Sequence, residues 1–167
     1  MFMTRPSSIK ILIYAFGNPG RMDDGLGNEF VNQIEYWAKQ QGLHYIDFDS
    51  NYQLNIEDAE TVTHYDIVLF VDASTEEIEN FCFTEVDGKK DVAFTSHAAS
   101  PGFIVNLCHT VFKKYPQVFL LHIKGYEWEF REGLTSRAKK NLSDAVEDVK
   151  KKLRNPELFS KLKQNVN

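Results

Sequence analysis

Cysteine is scarce in this chain, and its scarcity argues against two kinds of architecture. Only Cys82 and Cys108 occur among the 167 residues, and they do not form a CxxC pair. We therefore expect neither a disulfide framework nor a metal site built from thiolates. Both cysteines stand among apolar residues, which predicts that they are small residues of the core.

Long apolar runs and an excess of positive charge are missing as well. No stretch is long and apolar enough to cross a bilayer, and residues 1–10 lack the apolar segment of a secretion signal. The formal net charge is −5, and nucleic-acid surfaces normally need a basic patch. These absences predict a cytoplasmic protein that binds neither a membrane nor a nucleic acid.

The alternation of strand and helix signals predicts the fold class. We expect a single three-layer α/β domain, in which a five-stranded, mixed but mainly parallel, twisted sheet carries helices on both faces. The link from Asp72 to Asn80 is too short for a helical crossover, so the fourth strand should run antiparallel. The domain is predicted over residues 9–155, between an N-terminal arm (1–8) and a loosely held tail (156–167). The predicted strands are 11–16, 43–49, 67–71, 81–86 and 118–123, and the predicted helix caps are Asn55, Ser100 and Thr135.

The most informative stretch is the loop that follows the first strand. It contains the turn formers Gly17-Asn18-Pro19-Gly20, then Arg21 and the adjacent carboxylates Asp23 and Asp24. Open α/β sheets bind ligands at this edge, beyond the carboxyl ends of the strands. The loop has no GxGxxG or GxxxxGKS/T pattern, so a phosphate cradle is not expected. The plain alternative is a solvated turn whose carboxylates start the next helix.

The sequence of this loop, GNPGRMDDGLG at residues 17–27, resembles the GNxxxxDDGxG signature of the hydrogenase maturation endopeptidases. These proteases remove a C-terminal extension from the large subunit of nickel-iron hydrogenase once nickel is in place. The resemblance covers roughly residues 11–153, element by element. It implies an endopeptidase, expected to be a monomer, whose partner is the large-subunit precursor. The nickel would be carried by that substrate, and other divalent metals would substitute for it in vitro.

Three polar residues that are far apart in the chain are expected to meet at this edge of the sheet. Asp24 lies in the first loop, Asp72 ends the third strand, and His97 precedes the helix capped by Ser100. Two carboxylates and one imidazole suit a divalent transition metal and leave a position open for water or substrate. The resemblance implies that the same three residues contact the metal and serve catalysis, with one carboxylate as base. Taken singly, Asp72 could cap a turn and His97 could hydrogen-bond locally.

Other residues near this edge are candidates for contact with the substrate. Gly17 and Asn18 shape the first loop. Asp49 matches an aspartate of the family, but a glycine-threonine segment usually follows it there, whereas Ser50-Asn51-Tyr52-Gln53 follows it here. This bulkier loop implies a different subclass of substrate, selected with the help of Asp49 and Gln53, unless the loop simply packs outward.

Several other residues either have two possible interpretations or are not expected to belong to the site. Asp23 is expected to orient Arg21 or cap the following helix, and not to bind metal. An aromatic trio either contacts the precursor or folds back on the core: Tyr126, Trp128 and Phe130. Four histidines have no partner at ligand spacing and are interpreted as surface or core residues: His44, His64, His109 and His122.

Three other functions stay open at this point. GNPG also begins the peptidyl-tRNA hydrolases, although those need a nearby asparagine and histidine and a basic face. A receiver-like domain would pair the acids near the first strand with Asp72 and Lys124. A metal-dependent binding module would hold the precursor with the same ligands and would not cut it.

Overall fold

The computed structural model of the chain describes residues 8–90, 92–93 and 98–165. His97 lies outside the described residues. The strands are β1 (Ile11–Phe16), β2 (Ile46–Asn51), β3 (Ile67–Ser74), β4 (Phe81–Glu85) and β5 (Gln117–Lys124). The helices are α1 (Leu26–Gln40), α2 (Asp58–Val62), α3 (Pro101–Thr110), α4 (Ser136–Arg154) and α5 (Glu157–Ser160), with 3₁₀ turns at Met22–Gly25 and Lys161–Asn165.

The five strands form one sheet in the order β2-β1-β3-β5-β4. β1, β2, β3 and β5 are parallel, whereas β4 pairs antiparallel with β5. The central strand β3 is buried from Ile67 to Val71, as expected for a strand covered on both faces. The predicted mixed, mainly parallel sheet is therefore confirmed, including the direction of β4.

Helices cover the sheet on both faces, which confirms the three-layer arrangement. On one face, Phe30 and Ile34 of α1 join Leu142 and Val146 of α4 in a buried cluster. A second cluster, on the other face, is formed with α2 and α3 and includes Ile104. Within the described part of the chain, no helix is both long and apolar enough to span a membrane.

Two of the three predicted helix caps are present. Ser100 accepts a hydrogen bond from the Phe103 amide at 3.1 Å, and Thr135 accepts one from the Ala138 amide at 3.2 Å. The predicted cap at Asn55 is wrong, because α2 begins only at Asp58. Asp58 accepts a hydrogen bond from the Asn55 amide at 2.7 Å, so its carboxylate closes the turn that precedes the helix.

The chain after Pro156 is held more firmly than predicted. Phe159 is fully buried, and its ring stacks on Phe119 with 6.0 Å between the centroids. Lys163 also lies 3.5 Å from the Glu85 carboxylate. The expectation of a loosely held tail is wrong for these residues, because Phe159 completes the core beneath β5.

Candidate functional site

The first loop takes its shape from a glycine that no other residue could replace without strain. Gly17 has a φ of 149°, and its amide donates to the Asn51 carbonyl at 3.0 Å. A Cβ at this position would lie 2.2 Å from the Asp24 carbonyl oxygen, which is closer than any real contact. Asn18 follows, and its amide donates to the Asp24 carboxylate at 2.9 Å. Gly17 and Asn18 thus position Asp24, while their predicted contact with the substrate stays a prediction.

Asp24 and Asp72 interact at the carboxyl edge of the sheet. β3 runs on to Ser74, so Asp72 lies inside the strand and not at its end. Burial and, second, the nearby charge of Asp24 raise the pKa of Asp72 from 3.8 to about 7. The charge of Asp24 disfavours the ionised form of Asp72, and a cation bound near both carboxylates would relieve this repulsion. The structure brings these two predicted residues together, and their roles as metal ligands and in catalysis stay predictions.

The third predicted ligand, His97, is outside the described residues. Within residues 8–90, 92–93 and 98–165, no three histidine, cysteine, aspartate or glutamate side chains are arranged to hold a metal ion. The pair Asp24 and Asp72 therefore supplies at most part of a coordination sphere from the described chain. Its carboxylate oxygens and an added imidazole are donors that divalent transition metals accept.

Asp23 has a different role from either predicted alternative. It is fully buried, and its carboxylate accepts hydrogen bonds from the amides of Tyr126 at 2.8 Å, Glu127 at 3.2 Å and Thr135 at 2.8 Å. The Thr135 hydroxyl donates a further bond at 2.8 Å. In these contacts, the Asp23 carboxylate neither caps α1 nor pairs with Arg21. Asp23 instead fastens the first loop to the connection between β5 and α4.

The sequence predicted only a surface or core position for His122, and did not indicate that it lies beside Asp72 in the sheet. The two residues are register partners on β3 and β5. The His122 Nε2 lies 2.9 Å from the Thr84 hydroxyl, and burial lowers the pKa of the imidazole. The period-two alternation of strands could have placed it on the Asp72 face once the pairing of β3 with β5 was assumed.

The second region predicted to contact the substrate lies against the first loop. β2 extends to Asn51, whose carbonyl accepts the Gly17 amide bond described above. Asp49 is exposed, and its carboxylate accepts a hydrogen bond from the Ser50 amide at 2.8 Å. Gln53 is half-buried. Asp49 and Gln53 thus lie two residues before and after Asn51, which bonds the first loop, and their selection of the substrate stays a prediction.

The aromatic trio divides between the two interpretations. The Tyr126 hydroxyl accepts a hydrogen bond from the Asn141 amide at 2.8 Å, and Trp128 covers Gly125 so closely that an added Cβ would lie 2.8 Å from its ring. Phe130 is 84% exposed, and the Arg21 guanidinium lies 5.0 Å from its ring centroid. Two rings therefore fold back on the protein, while Phe130 and Arg21 form a surface contact next to the loop.

Comparison with known proteins places this geometry in a recognised fold. No protein-family model matches the chain, and no curated protein matches it either. Among solved structures, the nickel-iron hydrogenase maturation protease HycI of Thermococcus kodakarensis is similar, with a TM-score of 0.71 and 17% identity over 89% of this chain and 95% of that one. The Escherichia coli endopeptidase HybD gives 0.69 and 16% identity over 89% and 94%.

A further endopeptidase of Escherichia coli aligns at a TM-score of 0.65 with 21% identity, over 89% of this chain and 94% of that one. The similarity thus spans nearly the whole length of each protein. The chain therefore has the fold of the hydrogenase maturation proteases. This agrees with the resemblance carried by residues 17–27 of the first loop.

Proposed function

We propose that this protein is an endopeptidase that removes the C-terminal extension of a nickel-iron hydrogenase large-subunit precursor after nickel insertion. One observation carries the proposal: in a fold shared with hydrogenase maturation proteases, Asp24 and Asp72 interact at the carboxyl edge of the sheet. The loop signature at residues 17–27 supports the same function. We further propose that the protein acts as a cytoplasmic monomer that binds neither nucleic acid nor membrane.

The proposed site recognises the nickel that the substrate carries. Asp24 and Asp72 supply oxygen ligands, and the family resemblance adds the imidazole of His97. Repulsion between the two carboxylates in the free protein favours an incoming cation. A divalent metal contributes Lewis acidity at this position, and other divalent ions would substitute for nickel in vitro.

The chain itself has to supply the proton transfers of peptide hydrolysis. A water that attacks the peptide carbonyl loses a proton, and the leaving amine gains one. We assign the first transfer to one carboxylate of the pair Asp24 and Asp72. Gly17 and Asn18 hold Asp24 in position through the contacts described above, while Asp49 and Gln53 border the path of the substrate.

The decisive experiment mixes the protein with nickel-loaded and nickel-free precursor and weighs the products by mass spectrometry. We expect loss of the C-terminal peptide only from the nickel-loaded precursor. A His97→Ala variant should fold normally and fail to process, whereas the matched control His44→Ala, an exposed residue at the opposite edge of the sheet, should process normally. Full cleavage by His97→Ala would remove this histidine from the mechanism. Stable binding of the nickel-loaded precursor without cleavage would instead identify a binding module.

The receiver-like alternative has two structural observations against it. Lys124 donates hydrogen bonds from its ammonium group to the carbonyls of Thr75 and Glu76, and these contacts direct it toward the loop that follows β3. The antiparallel β4 also departs from the uniformly parallel sheet of doubly wound receivers. Exposure to acetyl phosphate should therefore leave the mass of the protein unchanged.

A further inference from the structure

A groove of about 740 Å³ lies between α1 and α4, beside the loop that carries Asp24. Pro19, Met22 and Gly25 of the loop form one end of it. Ser50, which directly follows Asp49, contributes from β2. The groove therefore borders the loop that carries Asp24, although neither Asp24 nor Asp72 lines it, and a chain leaving the site could continue along this loop into the groove.

The lining of the groove has the chemistry of a surface that binds polypeptide. α1 contributes three carboxamide side chains, and each carboxamide both donates and accepts hydrogen bonds, as the main chain of a peptide does. Leu134 and Leu142 add apolar surface, and Glu29 and Lys139 contribute charges of opposite sign. This balance of charge disfavours a phosphate or another polyanion as the occupant. The three carboxamides are Asn28, Asn32 and Gln33.

The oxygen of one of these carboxamides lacks a hydrogen-bond partner among the residues that the structure describes. The Asn28 side-chain oxygen is buried, and no described residue donates to it. A buried acceptor without a donor is destabilising, and a ligand that supplies an N–H group would relieve that cost. An extended peptide presents such groups along its main chain. Asn28 therefore marks a point where a bound segment would form a hydrogen bond once the carboxamide turns its oxygen toward the groove.

The length of the groove limits how much chain it can hold. Its α1 wall runs from Asn28 to Gln33, which at 1.5 Å per helical residue is about 7.5 Å. Extended chain rises about 3.3 Å per residue, so the length of this wall corresponds to about two residues of bound peptide. A short segment next to the cleaved bond fits these dimensions better than a folded domain does.

We propose that this groove between α1 and α4 binds an extended segment of the precursor adjacent to the scissile bond. The inference rests on the proposed protease function and adds the surface that holds the substrate polypeptide. Asn28, Asn32 and Gln33 bond its main chain, while Leu142 and Leu134 contact its side chains.

Binding is tested with a fluorescent synthetic peptide that spans the cleavage region of the large subunit encoded in the same genome. Ser143 is exposed in the groove wall, and Ser143→Trp would fill the groove. We expect this variant to weaken peptide binding at least about tenfold in fluorescence anisotropy. The matched control is Lys140→Trp, an exposed position on α4 outside the groove, which should bind like wild type.

A second variant separates binding from folding. Asn28→Leu removes the unpaired buried oxygen, so its thermal midpoint should equal or exceed that of wild type. Its peptide affinity should nevertheless fall, and its KM for the nickel-loaded precursor should rise about three- to tenfold with little change in kcat. A merely structural role for Asn28 would lower the thermal midpoint and leave KM unchanged.

The outcomes for the groove and for the protease function are distinguishable. Cleavage by wild type with unchanged KM and affinity in both groove variants overturns the groove and leaves the protease function intact. Peptide binding that Ser143→Trp weakens, without cleavage of any precursor, supports the groove and overturns the protease function. Absence of peptide binding by wild type overturns the groove directly.

Discussion

Asp23 and Asp24 are adjacent in the chain, yet the structure treats their carboxylates in opposite ways. Asp23 is fully buried and accepts four hydrogen bonds from the β5–α4 connection. For Asp24, one main-chain hydrogen bond is seen, from Asn18, and its charge acts on Asp72. The Asp23 carboxylate thus has donors for its oxygens, whereas the Asp24 carboxylate lies within electrostatic range of a second acid.

The contrast separates an acid that stabilises the fold from a pair of acids that costs stability. Hydrogen bonds to a buried carboxylate stabilise its charged form and rigidify the chain around it. A buried acid whose ionisation a neighbouring carboxylate disfavours, as Asp24 does for Asp72, is typical of functional sites. Substitution of Asp24 should therefore affect activity more than stability, and substitution of Asp23 should affect stability more than activity.

The largest effect is expected on activity from the Asp24–Asp72 pair. Asp24→Ala should reduce processing of nickel-loaded precursor by at least about 10³-fold, because in the proposed mechanism it removes a ligand or base at the reacting centre. Circular dichroism and the thermal midpoint should remain close to wild type. Normal processing by this variant, or its unfolding, would contradict the view that Asp24 serves activity and not the fold.

Asp23→Ala should have the largest effect on stability. The substitution leaves four donors without their acceptor, and we expect a loss of about 3–5 kcal/mol in the free energy of unfolding, measured with urea. A loss below about 1 kcal/mol would contradict the role of Asp23 in fastening the loop. Processing should fall only as far as the folded population falls or the loop shifts.

Asp72→Asn should instead stabilise the protein above neutral pH. The raised pKa, about 7 against 3.8, means that the folded state holds the Asp72 proton more tightly than the unfolded state does. Its contribution to stability is therefore complete below about pH 4 and is lost as the pH rises to about 7. The variant lacks this loss, so at pH 8 and without metal it should be more stable by roughly 1–3 kcal/mol. Urea unfolding at pH 4 and pH 8 measures the difference, and equal values for the two proteins at both pH values would contradict it.

Thr135→Val should produce the smallest of these effects. Its hydroxyl both donates to Asp23 and caps α4, whereas its amide bond to Asp23 would survive the substitution. We expect a loss of about 1–2 kcal/mol. Thr135→Ser is the matched control, because it keeps the hydroxyl and should stay within about 0.5 kcal/mol of wild type.

The parts of the structure that local sequence governs could be predicted. The length of the link between β3 and β4 was enough to predict an antiparallel strand, and Ser100 and Thr135 cap helices because their side chains bond amides three residues on. Phe159 could not be placed, because its burial depends on contact with Phe119, forty residues earlier. The predicted cap at Asn55 was wrong because α2 begins three residues later, at Asp58. The Asp58 carboxylate accepts a hydrogen bond from the Asn55 main-chain amide, so Asn55 belongs to the turn before the helix.

The candidate site was predictable only in part for a similar reason. Asp24 and Asp72 follow from the rule that parallel strands end at one edge. The role of Asp23 depends on donors more than 100 residues away in the chain, and no local pattern indicates them. The groove likewise depends on how α1 lies against α4, a distance that the amphipathic pattern of each helix does not specify.

The burial of Phe159 has a consequence for biosynthesis. Phe119 and its neighbours on β5 are translated well before the residue that covers them, so a nascent chain exposes an apolar surface until residue 159 has left the ribosome. Folding of this domain should therefore be completed late, and a chain that stalls before residue 157 should be prone to aggregation and to capture by chaperones.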